Sequence, residues 1–220
     1  MFKIEFNRKG KNDTAVITVD ETVGTDARVA EIKKLCKKAR KADPKRECFG
    51  ADGHKYKYGR KLSLFEVRKC EEKLGVTFPE ELVEFYTKVG NGGAGDGYGI
   101  YPIGTLADRN EWLNRWQRHS MDESKYVTFS TMTDEEWADW YNAECDDDSA
   151  ASVMGNILII GTHGCTSDYG IVLHGPDKGK ILSFFSDWEE TDRPKICSDS
   201  LLDDITEHLN YVISGEWKMD

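Results

Sequence analysis

Residues 63–90 constrain this chain more than any other stretch. Ser63-Leu-Phe-Glu66 is a capping box, in which the Ser hydroxyl takes the free backbone N–H three residues on and the Glu reaches back. Leu64, Val67, Cys70 and Leu74 then share one helical face, and Gly75 suits the left-handed position that ends a helix. After Val76-Thr-Phe78, Pro79 stands where a helix tolerates proline, in its first turn. Leu82, Phe85, Tyr86 and Val89 repeat at i, i+3, i+4 and i+7, and Gly90-Asn-Gly-Gly93 stops the pattern. The spacing predicts two helices joined by a tight Gly…Pro turn.

The flanks read less sharply. Phe2, Ile4 and Phe6, then Ala15, Ile17 and Val19, alternate with polar neighbours across the turn-rich Arg8–Asp13, which predicts a β-hairpin over 1–20. A helix follows from Asp26 to about Arg40, apolar at Val29, Ile32, Cys36 and Ala39 and basic on its other side. Residues 42–61 read as a long connection. Beyond the helix pair, a short strand is expected near Gly99–Ile103 and a helix near Ala107–Arg118. Thr133-Asp-Glu-Glu136 is a second capping box opening a helix, and Glu144–Ser149 reads as an acidic loop. Strands are expected at Asn156–Gly161, Gly170–His174 and Lys180–Phe185, the last two joined by a turn over Gly175–Gly179. Ser200 caps a closing helix with Leu201, Ile205, Leu209 and Val212 at core spacing. Helices, then strands, then a helix, with no βαβ alternation, argue an α+β fold with an antiparallel-rich mixed sheet flanked by helices.

Charge divides the chain. Residues 1–62 hold 17 Lys+Arg against 9 Asp+Glu, a charge of +8, whereas 63–220 hold 13 against 31, a charge of -18. The expected organisation is a basic N-terminal extension over 1–62 and a domain over 63–220, with a Trp-rich insertion near 107–153. An acidic domain repels nucleic acid and favours a basic protein partner. The lysine-rich helix face lacks the interleaved aromatics of a single-strand platform, and docking onto the acidic part of its own chain is the better reading. Apolar runs reach only four residues, as in Ile157–Ile160, far short of the ~20 that span a bilayer. The first residues lack a signal-like apolar stretch, so the expected location is the cytoplasm and the six cysteines are expected as free thiols.

No motif argues firmly for chemistry. The run Gly92-Gly-Ala-Gly-Asp-Gly-Tyr-Gly99 follows a helix and precedes a strand, the reverse of a phosphate loop, and no Gly-Lys-Ser/Thr occurs. Thr162-His-Gly-Cys165 offers a thiol two residues from an imidazole, which without an oriented base is a loop rather than a nucleophile. Glu144 with Asp146, Asp147 and Asp148 lacks the regular spacing of a calcium loop, so no metal and no cofactor are expected. The same acidic run lies beside Trp112, Trp116, Trp137 and Trp140, the composition of a protein-binding hot spot.

One stretch has a familiar order. Glu72, Leu74, Gly75, Phe78 and Pro79, followed by Leu82, Phe85 and then Asn91-Gly92-Gly93 before Gly99-Ile100, resembles the signature of the Smi–Knr, or SUKH, superfamily. The later Ile157–Gly161, Gly164, Asp168-Tyr169, the turn across Gly175–Gly179 and the Ser200–Leu209 helix fit the same pattern. Phe78 stands where leucine is usual, and the basic 1–62 segment and the Trp-rich stretch depart from it. The resemblance implies a single α+β domain without catalysis. For most bacterial members it implies an immunity protein that binds the toxin domain of a polymorphic or contact-dependent toxin, and for fungal relatives a protein-binding regulator of cell-wall synthesis. The expectation is therefore a non-enzymatic protein that occludes a basic toxin domain, such as a nuclease, through Trp112, Trp116, Trp137, Trp140, Glu144, Asp146, Asp147 and Asp148. An enzyme using the 162–169 loop is the rival from another class. The oligomeric state is not written in the sequence.

Overall fold

The computed structural model describes residues 21–116, 123–143, 147–185 and 192–218. The expected 1–20 hairpin lies outside them. Helix α1 spans Glu21–Ala42, and a short α2, Ala51–His54, follows. Helix α3, Leu64–Leu74, and α4, Glu80–Glu84, form the helix pair, and α4 runs on as a π-helical turn over Phe85–Val89.

The capping box is present: Glu66 N–H donates to the Ser63 hydroxyl and Ser63 N–H to the Glu66 carboxylate. Gly75 ends α3 in the left-handed conformation at φ 71°. The turn is held by a residue that the spacing did not mark. The Glu71 carboxylate, 5% exposed, accepts the Phe78 N–H at 2.7 Å and two bonds from Arg68, whereas Glu72 is exposed. A buried carboxylate is stable only with such partners.

The expected helix near 107–118 is two pieces, α5 (Ile103–Arg109) and α6 (Leu113–Trp116). Asn110 breaks it. Fully buried, it donates to the Leu106 and Ile159 carbonyls at 2.8 Å and accepts the Ile159 N–H at 2.8 Å, so its amide serves a strand. The expected strand at 99–103 reduces to single bridges from Ile100 to Gly93 and Gly161, because α5 begins at Ile103. Helix α7, Asp134–Asn142, carries the second capping box, with Thr133 as its cap. Asp147–Ser149, expected in a loop, opens α8 (Asp147–Met154). Acidic residues in a first turn face the positive end of the helix dipole, which favours helix over loop there.

Strands β1 (Ile157–Gly164), β2 (Ser167–Val172), β3 (Ile181–Phe185) and β4 (Lys195–Ser198) pair in chain order, antiparallel throughout. The fold is α+β. Because strand side chains alternate, β1 feeds two cores. Leu158 and Ile160 join Ile171 and Ile181 against α1, α3, α4 and the closing helix α9 (Leu201–Ser214). Ile157 and Ile159 join Val172, Leu182 and Phe184 against Phe129, Trp137 and Val153.

Helix α1 belongs to the first of these cores. Val29, Ile32, Leu35, Cys36 and Ala39 are buried in it, each large aliphatic side chain contributing about 1.5–3 kcal/mol. Two other charged residues tie α1 to its own chain: Arg28 pairs with Glu81 at 2.5 Å and Asp203 at 2.8 Å and donates to Ser200, and Asp26 pairs with Lys88 at 3.4 Å. The expected docking of the lysine-rich face onto the acidic part of the chain is not seen among the described residues: Lys33, Lys34, Lys37 and Lys38 are exposed, and Lys33 reaches only the Lys88 carbonyl at 3.2 Å.

Candidate protein-binding site

The glycine run is an ordered loop folded onto the β1–β2 hairpin. Gly93 exchanges backbone hydrogen bonds with Ile100, and Tyr98 N–H donates to the Thr162 carbonyl at 3.0 Å. Gly93 sits at φ 132°, where an added Cβ would lie 2.0 Å from the Lys57 carbonyl oxygen, so only glycine fits. Gly97, at φ 52°, leaves no room against His163 and Thr162 either. Asn91 fixes the loop's exit by accepting the Ile103 N–H at 2.7 Å. The result is that Asp96 is delivered beside β1 and α9.

Asp96 is the centre of a polar cluster. Its Oδ2 lies 2.8 Å from His163 Nε2 and its Oδ1 3.3 Å from His208 Nδ1. Burial works to raise its carboxyl, but the bonds from His163 and His208 outweigh it and hold Asp96 well below the ordinary carboxylate range. In return, the bond to Asp96 raises His163. Asp204, one turn along α9, goes the other way: burial, with the Asp96 charge beside it, pushes its carboxyl up to about 6. His54 is lowered to about 4 by burial and by His208, whose ring centroid is 6.3 Å away.

Asp96, Asp204 and His208 border a cavity of about 320 Å³, lined also by Cys197, Glu207 and Tyr211. Asp204 Oδ2, His208 Nε2 and His54 Nε2 are buried without a hydrogen-bond partner. Buried polar atoms are nearly always satisfied, so three together mark an unusual corner. Two residues along the loop, Tyr98 is exposed and packs edge-to-face on exposed Phe49 at 5.3 Å, adding an aromatic pair to the same part of the surface.

The sequence-expected contacts are distributed differently. Trp137 is fully buried in the second core, with Trp140 stacked on it at 4.8 Å, so the Trp137 ring is packing material rather than a surface contact. Trp112 is half-buried against both cores, and its indole donates to the Arg109 carbonyl at 3.1 Å. Trp116 ends α6, and Asp147 and Asp148 open α8; their side chains, and all of Glu144 and Asp146, lie outside the described residues.

The thiol–imidazole pair is not assembled. Cys165 is exposed at the hairpin tip, while the two His163 nitrogens face Asp96 and, at 3.4 Å, the Ser167 hydroxyl. That hydroxyl is beyond the 2.6–3.2 Å reach of an activating base. Thr162, which accepts the Gly164 N–H and donates to the Ser167 carbonyl, closes the hairpin tip beside it. Among the described residues no group of His, Cys, Asp and Glu is arranged to hold a metal, and no helix is long and apolar enough to cross a membrane.

A four-stranded antiparallel sheet packed by a capped helix pair and a closing helix, with the Asn91-Gly92-Gly93 turn between, defines a small α+β binding domain. Residues 61–205 match the model of the SMI1 / KNR4 family (SUKH-1), and the chain belongs to that family. No curated protein matches the chain. The family is generally non-catalytic, is known for binding other proteins, and accommodates immunity and regulator roles.

Proposed function

We propose that this protein is an immunity protein that binds a cognate polymorphic or contact-dependent toxin domain and neutralises it by occlusion in the cytoplasm. Membership of residues 61–205 in the SUKH-1 family carries this reading. Charge supports it. The -18 on residues 63–220 suits a basic partner such as a nuclease, whose own site must grip phosphates. Complementary charge would steer the encounter, and desolvated aromatics would hold the complex. Of the eight contacts that the sequence suggests, Trp112, Trp140, Asp147 and Asp148 stay in this reading, with Trp116, Glu144 and Asp146; Trp137 supports the wall behind them.

The test is affinity capture of the full chain from its own cells, followed by mass spectrometry and stoichiometry. One basic polypeptide at one-to-one, toxic when expressed alone and harmless with this chain, is the expected result. The second reading, a regulator of cell-wall synthesis type, is favoured by the name of the matching branch, SMI1 / KNR4. It expects several unrelated partners at low occupancy instead.

A further inference from the structure

The corner between α9, β4 and the glycine loop holds more negative charge than the described residues neutralise. Asp204, Glu207, His208 and Tyr211 fall at i, i+3, i+4 and i+7, one stripe of α9 that flanks the core stripe of Leu201, Ile205, Leu209 and Val212. Asp96 closes the cavity from the loop and Cys197 from β4. Among the described residues no lysine or arginine pairs with Asp96, Asp204 or Glu207, although Asp203, the neighbour of Asp204, is paired with Arg28.

Two of the three unsatisfied atoms face the cavity; the third, His54 Nε2, belongs to a ring whose Nδ1 accepts the Tyr56 N–H and which does not line it. His208 is 8% exposed; its Nδ1 lies 3.3 Å from Asp96 Oδ1, and its Nε2 is buried with no hydrogen-bond partner. Asp204 Oδ2 is also buried and also without a partner. A cavity walled by three carboxylates therefore offers acceptors but, among the described residues, no cation.

We propose that this cavity receives the guanidinium of an arginine side chain presented by the partner protein. Arginine fits better than lysine. Its planar fork of five donors reaches two carboxylates at once, whereas an ammonium is a compact, strongly hydrated point charge. Insertion also sets a cation beside Asp204, whose carboxyl burial, and after it the Asp96 charge, pushes up to about 6. The inference rests on the binding role proposed above and names the side chain that the acidic surface takes.

The experiment needs no toxin, so its failure is separable from failure of the immunity reading. The full chain, labelled with ¹⁵N, is titrated with Nα-acetyl-arginine amide and followed through the amides of Asp96, Asp204, Glu207, His208 and Tyr211. The matched probes are Nα-acetyl-citrulline amide, which keeps the shape without the charge, Nα-acetyl-lysine amide, and free arginine. The expected result is saturable shifts confined to this corner with the arginine amide and none with citrulline. Asp204→Asn should weaken binding roughly tenfold and Glu207→Gln, on the exposed rim, roughly threefold. Glu207→Gln removes no buried contact, so it remains informative if the other variant folds poorly.

No saturable response to the arginine amide overturns the proposal. Equal response to lysine amide reduces the site to a general cation trap, and a response to free arginine alone makes it a metabolite site; either result also overturns it.

Discussion

The two faces of the sheet use polar chemistry in opposite ways. On the face that packs the Trp-rich segment, Trp137 is fully buried with Trp140 stacked on it. The polar groups that intrude there are matched: Asn110 saturates both backbone groups of Ile159, and buried Asp177 accepts the Ser130 N–H and pairs with Lys180. At the edge of the other face, the Asp96 corner leaves Asp204, His208 and His54 with unsatisfied buried atoms. A composition rich in tryptophan thus marks where the molecule is held together. The unmatched polar atoms mark where it has something left to bind.

Substitutions on the two sides should separate these roles. The largest effect is expected at Trp137: Trp137→Ala should cost about 3–5 kcal/mol in chemical denaturation, while Trp140→Ala, on a half-buried ring, should cost clearly less. Equal costs would mean that the stack, not the burial, carries the packing. Next, Asn110→Ala should cost about 2–3 kcal/mol, because it leaves the Ile159 N–H and carbonyl buried without partners. A loss below 1 kcal/mol would show that α5 and α6 can join into one helix once the amide is gone.

The corner should respond with the opposite sign. The Asp204 carboxyl, near 6 in the fold and near 3.8 in the unfolded chain, keeps a proton that the unfolded state has already released. Its contribution therefore falls as pH rises from about 4 to about 6. Asp204→Asn should stabilise the protein by about 3 kcal/mol at pH 7 and change nothing below pH 4. The groups around it, Asp96, His163, Glu207 and His208, keep their places in that variant. His54 slopes the other way: near 4 in the fold against 6.5 unfolded, it costs stability as pH falls through that window. The Asn variant should accordingly lose stability steadily on acidification below about 6.5, where the parent's two slopes oppose each other. The smallest effect is expected at Arg28, a partly exposed cation: Arg28→Ala should cost at most about 1 kcal/mol.

Local rules made the helices legible. Both capping boxes, the left-handed Gly75 and the apolar stripe of α9 announce themselves within a few residues, and each stands where expected. Long-range uses of a residue were not legible. Asn110 ends a helix to serve a strand 49 residues away. β4 is a four-residue edge strand with exposed alternate positions, too short for a periodic signal. Asp147–Ser149 looked like a loop because a run of acids masks a helix start. The binding corner joins Asp96, read as part of a turn, to Asp204 more than a hundred residues later. Its one local trace is the polar stripe Asp204, Glu207, His208 and Tyr211, beside the core stripe of the same helix.

The account's central claim is that this chain acts by holding one partner protein, and relief of toxicity tests it most directly. The polypeptide that co-purifies with the full chain is expressed alone and together with it, and growth is followed. The account predicts arrest alone, growth when both are present, and a one-to-one complex in the protected cells. Arrest that persists while the complex forms, or a captured partner that is harmless by itself, would contradict it.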